Sequence, residues 1–173
     1  MDFIPLEFEG VLGIVEKAQS DFRGTLTRVW DASPRLQEFK LVQSSIVLNP
    51  RAATLSGLHY QDPPFSENKV VFCVSGKVFD VIVDQRSGSS TFGKSLMVEI
   101  GPQMVYAGLF VPAGCAHGYL TLEPNSTLLY FMDKEYSQEN SQGLLWSDPK
   151  LSINWPIDPI HISERDLKWP RIF

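Results

Sequence analysis

The chain is 173 residues long, 43% hydrophobic and 20% charged, with a formal net charge of -5. That length is one ordinary domain with a real apolar core, and the apolar runs are too short for a membrane-spanning helix. An acidic balance without a Lys/Arg cluster argues against nucleic acid or an anionic membrane as the main partner and leaves a small molecule.

Residues 1–173 are read as a single domain. Asp2, Glu7 and Glu9 fall where a secretory leader would carry its basic and apolar segments. Cys73 and Cys115 lie in apolar stretches, as buried reduced thiols do, so the expected location is the cytoplasm.

In chain order, residues 55–61 read as a strand, and the runs 70–74 and 78–83 flank Ser75-Gly76-Lys77, which predicts a tight hairpin. Further β runs follow at 96–100, 109–111, 119–122 and 127–132, separated by Gly, Pro, Asn or Ser. Short strands with turns between them predict an all-β jelly roll and not βαβ units. After Tyr136 the composition turns to Trp and Pro, which predicts a short irregular C-terminal tail packed on the core, with one helical turn near residues 163–167.

The histidines are His59, His117 and His161. Strict alternation puts Leu55, Gly57, His59 and Gln61 on one face of their strand, and Leu128, Tyr130 and Met132 on one face of theirs. Two readings are open. His59, with a reference pKa of about 6.5, and Tyr130, at about 10, form a base and an acid across a cavity and can invert a stereocentre. Alternatively, both are hydrogen-bonded core residues.

The segment Val111-Pro112-Ala113-Gly114-Cys115-Ala116-His117-Gly118 resembles the second motif of the cupin superfamily, which implies a cupin-type jelly roll. Metal-binding cupins usually carry two histidines one residue apart, whereas His59 is followed by Tyr60 and Gln61, so no metal or other cofactor is expected. Cys115 beside His117 has no nearby cation to favour a thiolate and is read as packing.

Gly57-Leu58-His59-Tyr60-Gln61, the run 76–84, Thr91-Phe92-Gly93 and residues 112–118 resemble the dTDP-4-dehydrorhamnose 3,5-epimerases. Phe22-Arg23-Gly24, Trp146-Ser147-Asp148-Pro149, residues 153–156 and residues 162–166 extend the resemblance over nearly the whole chain. It implies a homodimeric jelly roll, working without metal on a nucleotide-linked 4-keto-6-deoxy sugar in deoxysugar or cell-surface polysaccharide synthesis. His59 would be the base, Asp166 its orienting carboxylate, Lys69 the stabiliser of the enolate and Tyr130 the acid on the opposite face. Arg23, Arg28, Gln43, Ser56, Gln61, His117, Tyr136 and Arg165 would contact substrate, Arg23 through its diphosphate.

The resemblance has departures. Ser56 stands where the family usually has a diphosphate-binding arginine, with Arg51 a candidate substitute. Ser44 and Ser45 replace an Asp-Asn pair, Arg28 replaces a glutamate, and Phe131 replaces a lysine. Epimerisation of a single carbon, migration of the ketone to the neighbouring carbon, and a non-catalytic sugar-nucleotide-binding jelly roll remain as alternatives.

Overall fold

The structure, a computed structural model, describes residues 1–31 and 33–172. The strands are β1 (Asp2–Pro5), β2 (Leu12–Val15), β3 (Gln19–Asp21), β4 (Gly24–Leu26), β5 (Gln43–Asn49), β6 (Thr54–Gln61) and β7 (Lys69–Ser75). They continue as β8 (Val78–Asp84), β9 (Ser95–Ile100), β10 (Gly108–Val111), β11 (Cys115–Thr121), β12 (Ser126–Met132), β13 (Ser141–Gly143) and β14 (His161–Ile162). Among the described residues there is no α-helix, and none is long and apolar enough to cross a membrane.

Two sheets face each other, one in the order β1-β2-β10-β7-β12-β5 and the other β13-β6-β11-β8-β9, with β14 added to β6. Among the described residues, the strands pair antiparallel except β14 on β6. β3 and β4 form a separate exposed hairpin. This is the all-β jelly roll that the strand count predicts.

The predicted hairpin across Ser75-Gly76-Lys77 is not formed. β7 pairs with β10 and β12, whereas β8 pairs with β9 and β11, so the turn carries the chain from one sheet to the other. Both strands are interior to their sheets and covered on both faces, which is why each reads as a nearly continuous apolar run. Val71 and Cys73 pack between the sheets, while Val70 and Phe72 pack under Trp30, Phe39 and Phe131. On β8, Val78 and Ile82 face inward, and Val81 and Val83 lie under the tail residues Leu144 and Leu151. Turn chemistry marks where a chain reverses, not which sheet receives it.

The tail packs as expected. Trp155 sits 5.7 Å from the Phe79 ring, and Leu167 N donates to Ser163 O at 3.2 Å, the helical turn expected near residues 163–167, with a 3-10 turn besides at Pro149–Leu151. β13 pairs with β6 at residues 59–61 and β14 pairs with it at 54–55, so the tail covers the free edge of the strand that carries His59.

Asp84, fully buried at the end of β8, accepts from Arg86 Nη2 at 2.7 Å, Ser89 Oγ at 2.6 Å and Thr91 Oγ1 at 2.6 Å. Burial raises its pKa, but the bonds from Arg86, Ser89 and Thr91 outweigh burial and hold it well below the carboxylate range. Its contribution to stability is therefore present above the ordinary value of about 3.9 and lost as pH falls through the lower folded value. Arg86→Ala leaves Asp84 buried with only its neutral donors. Urea unfolding at neutral pH should show a loss of about 3 kcal/mol, the low end for a broken buried pair, and an unchanged midpoint would contradict this account.

Candidate active site

The site lies between the sheets, in a cavity of about 220 Å³ whose walls include His59, Lys69, His117 and Tyr130. Ser56, Gln61, Tyr136 and Arg165 also line it, and Asp166 stands directly behind His59. Arg23, Arg28 and Gln43 are not on its walls. Arg23 is exposed at the tip of the β3–β4 hairpin and pairs with Asp21 at 2.6 Å. Arg28 is exposed, and the Gln43 amide oxygen accepts from Tyr136 N at 3.0 Å. Arg51 lines neither this cavity nor the neighbouring groove.

His59 reaches the cavity through an irregularity in β6. His59 pairs with His117 and Ser56 pairs with Tyr119, so β6 uses one more residue than β11 across this step. Strict alternation fails there: Ser56 and His59 share the cavity wall, and Leu58 turns to the opposite side to pack on Val81, Val83 and Ala116. Gly57 makes this geometry possible. Its φ is +131°, and a Cβ at this position would lie 2.5 Å from Gly118 Cα. On β12 the predicted alternation holds, with Leu128 and Tyr130 inward and Phe131 on the outer face.

His59, Lys69 and His117 on the cavity walls each stand beside a carboxylate. His59 Nε2 is 2.6 Å from Asp166 Oδ1, which also accepts from Trp169 Nε1 at 3.0 Å. Burial raises the Asp166 pKa, but the bonds from His59, Trp169 and the Gly57 N–H prevail and lower it, so the carboxylate stays charged. Lys69 Nζ lies 2.8 Å from Glu67 Oε1 and donates to His59 O at 3.1 Å. His117 Nε2 lies 2.8 Å from Asp80 Oδ2, with both side chains buried.

Glu67 and Asp80 were not among the residues singled out in the sequence. Asp80 carried a signal, since an acid inside the apolar run 78–83 requires a partner. Glu67, in a loop, carried none.

Tyr130 faces His117 at 6.1 Å between ring centroids. Burial first, then Tyr119, Asp80 and Cys73, hold its phenol well above its ordinary pKa, so it stays protonated. Gln61 is structural as well as cavity-lining: its amide nitrogen donates to Phe65 O at 2.9 Å, and its amide oxygen accepts from Ser137 N at 2.6 Å. At the mouth, Arg165 donates to Tyr136 Oη at 3.1 Å and Ser141 Oγ at 2.7 Å and lies 4.8 Å over the Trp169 ring. Burial pushes the Cys73 and Cys115 thiols up to about 11, as packing cysteines. Among the described residues, no three His, Cys, Asp or Glu side chains converge as a metal site would require. A cavity with a carboxylate-backed imidazole on one sheet and a protonated phenol on the other can move protons on opposite faces of one bound carbon.

The sequence matches the dTDP-4-dehydrorhamnose 3,5-epimerase family over residues 5–173. It is 37% identical to the dTDP-4-dehydrorhamnose 3,5-epimerase of Sinorhizobium fredii, over 99% of this chain and 90% of that one. It is 33% identical to a dTDP-4-dehydro-6-deoxyglucose 3-epimerase of a Streptomyces species, over 97% of this chain and 87% of that one. A crystal structure of dTDP-4-dehydrorhamnose 3,5-epimerase from Bacillus anthracis with TDP and PPi bound superimposes with a TM-score of 0.91 at 30% identity, covering 99% of both chains.

Lys69→Met leaves the Glu67 carboxylate buried without its cation, which should cost about 3–5 kcal/mol by urea unfolding. Adding Glu67→Gln removes the orphaned charge and should recover most of that loss. A double variant no more stable than the single one would show that the pair is not the source.

Proposed function

The chain belongs to the dTDP-4-dehydrorhamnose 3,5-epimerase family, and from that premise we propose how its own residues carry the reaction. It is an isomerase that inverts carbon next to the ketone of a nucleotide-linked 4-keto-6-deoxyhexose in deoxysugar synthesis. The observation that supports the residue roles best is the 2.6 Å contact between His59 and Asp166, on the wall facing Tyr130.

His59 takes the proton α to the ketone, and Asp166 fixes the ring and stabilises the imidazolium that results. Lys69 is held near the developing enolate oxygen by Glu67 and the His59 carbonyl, where its charge acts mainly in the transition state. Tyr130 returns a proton to the opposite face of the same carbon. Abstraction and delivery on one face would exchange the hydrogen without changing configuration.

His117, held by Asp80, contacts the sugar. Arg165 is the cation at the mouth and takes the diphosphate, in the role that Ser56 cannot fill. No metal or other cofactor enters this scheme. We read residues 1–173 as one domain that works as a homodimer in the cytoplasm; the exposure of Phe22, Leu26, Ile46 and Leu48 supports an apolar contact between copies. Inversion of one carbon, as named for the Streptomyces relative, is the alternative outcome of the same chemistry.

The test is incubation with a nucleotide-linked 4-keto-6-deoxyhexose in heavy water, followed by NMR at the two carbons flanking the ketone. His59→Ala should abolish exchange at both. Tyr130→Phe should retain exchange while inversion falls by on the order of a hundredfold or more, the scale of one general acid. Equal loss of exchange and inversion in folded Tyr130→Phe protein would refute the division of roles.

A further inference from the structure

Trp169 stands where three functional side chains meet. Its Nε1–H donates to Asp166 Oδ1 at 3.0 Å, the same oxygen that lies 2.6 Å from His59 Nε2. Its ring meets the His59 imidazole nearly edge-on, with centroids 6.0 Å apart and planes 70° from parallel. The Arg165 guanidinium carbon lies 4.8 Å from the indole centroid.

The indole is seated by bare backbone. Gly143 on β13 pairs with His59 on β6, and a Cβ at Gly143 would fall 2.4 Å from the indole Cε2. The glycine opposite His59 therefore makes room for the ring. The carboxylate and the guanidinium come from one short turn, in which Leu167 N donates to Ser163 O, Lys168 N to Arg165 O and Asp166 N to Ser163 Oγ. Neighbouring positions of that turn place Arg165 at the mouth and Asp166 behind His59.

A carboxylate oxygen that accepts two hydrogen bonds shares its charge between them and is oriented by both. The indole N–H only donates and carries no titrating proton, so it can hold Asp166 in the same way across the working pH range. We propose that Trp169 is a positioning residue for the reaction. Through Asp166 and its edge contact it holds the His59 imidazole toward the bound carbon, and through its face it holds Arg165 for the phosphates. The base and the anchor at the mouth thereby keep a fixed separation. This rests on His59 being the base and Arg165 the phosphate ligand.

The charged and titratable groups around the imidazole are Asp166 and Arg165 from the tail, Lys69 with Glu67 at the His59 carbonyl, and His117 with Asp80 from the neighbouring strands. Tyr130 and Tyr136 share the cavity, and His161 shares the outer groove with Asp166. Asp166 is the one that bonds the ring itself. Without the indole donor, its Oδ1 turns more charge toward Nε2 and favours the imidazolium, so the neutral base is lost at higher pH than in native protein.

Benzothienylalanine at position 169 keeps the bicyclic shape and face but carries sulfur in place of the N–H, and Trp169→Leu removes both. Epimerisation rates are followed against pH in each, with thermal melting to establish folding. The benzothienyl protein should lose on the order of tenfold in kcat, keep KM within about twofold, and move the acidic limb of kcat/KM upward by roughly half a pH unit. Trp169→Leu should move the limb likewise and also raise KM by roughly fivefold, as Arg165 loses its stacking partner. Gly143→Ala displaces the indole without altering an ionisable group, and should move the limb in the same direction. An acidic limb at its native pH in folded benzothienyl protein would overturn the hold on the base. A native KM in Trp169→Leu would overturn the hold on Arg165. If His59→Ala retains exchange, it is instead the assignment of the base that fails.

Discussion

The buried carboxylate of Asp166 is the contact on which the site's geometry depends. It accepts from His59 Nε2, from Trp169 Nε1 and from the Gly57 N–H, so one anion ties the His59 imidazole, the C-terminal tail and the irregular step in β6 together. None of these would be well placed alone. β6 would have an open edge without β13 and β14, and the tail reaches that edge because Trp155, Leu151 and Leu144 bury themselves on the outer face of β8 and β11. The apolar packing of the tail is thus what delivers Asp166 to the imidazole. Because the bonds to Asp166 lower its pKa, their stabilisation is present above the ordinary carboxylate value and is lost as pH falls through the folded one.

The same logic of paired charge governs the rest of the cavity. Lys69 with Glu67, and His117 with Asp80, bring opposite charges or a polarised ring into a space where an isolated ion would be costly. Pairing also fixes direction: Lys69 cannot swing to solvent while Glu67 and the His59 carbonyl hold it. Stabilisation of an enolate by such a group requires little rearrangement when charge develops, which is the condition under which fixed electrostatics lowers a barrier. The opposing wall supplies a neutral phenol for the same reason, since burial there penalises its anion.

Much of this was legible in the sequence, and the parts that were not share a cause. Strands in the middle of the chain announce themselves because β-branched runs between turn residues have few other uses. Period-two reasoning placed Tyr130 inward, because β12 is regular through that residue. It misassigned the neighbours of His59, because the extra residue opposite Gly118 is a property of two strands together and neither segment reveals it alone. The supposed hairpin at Gly76 failed in the same way, since sheet membership is decided by β10, β12, β9 and β11. β5 was missed because its apolar stretch is short, Ile46-Val47-Leu48 behind Gln43-Ser44-Ser45, and Ile46 and Leu48 face solvent where no core pattern requires them. Asp166 came only through resemblance, because its sequence distance from His59 is closed by the tail.

The arginines illustrate why position alone does not make an anion site. Arg23 spends Nε and Nη2 on Asp21, and Arg86 spends Nε and Nη2 on Asp84, so each arrives with its charge compensated inside the chain. Arg165 donates only to the hydroxyls of Tyr136 and Ser141 and stacks on Trp169, partners that orient the guanidinium without neutralising it. Among the described residues it contacts no carboxylate, and it stands at the mouth of the cavity. A cation fixed by neutral groups keeps its full attraction for a diphosphate while losing little freedom on binding. With Ser56 in the wall, Arg165 at the mouth is the cation that the proposed reading assigns to the substrate's phosphates.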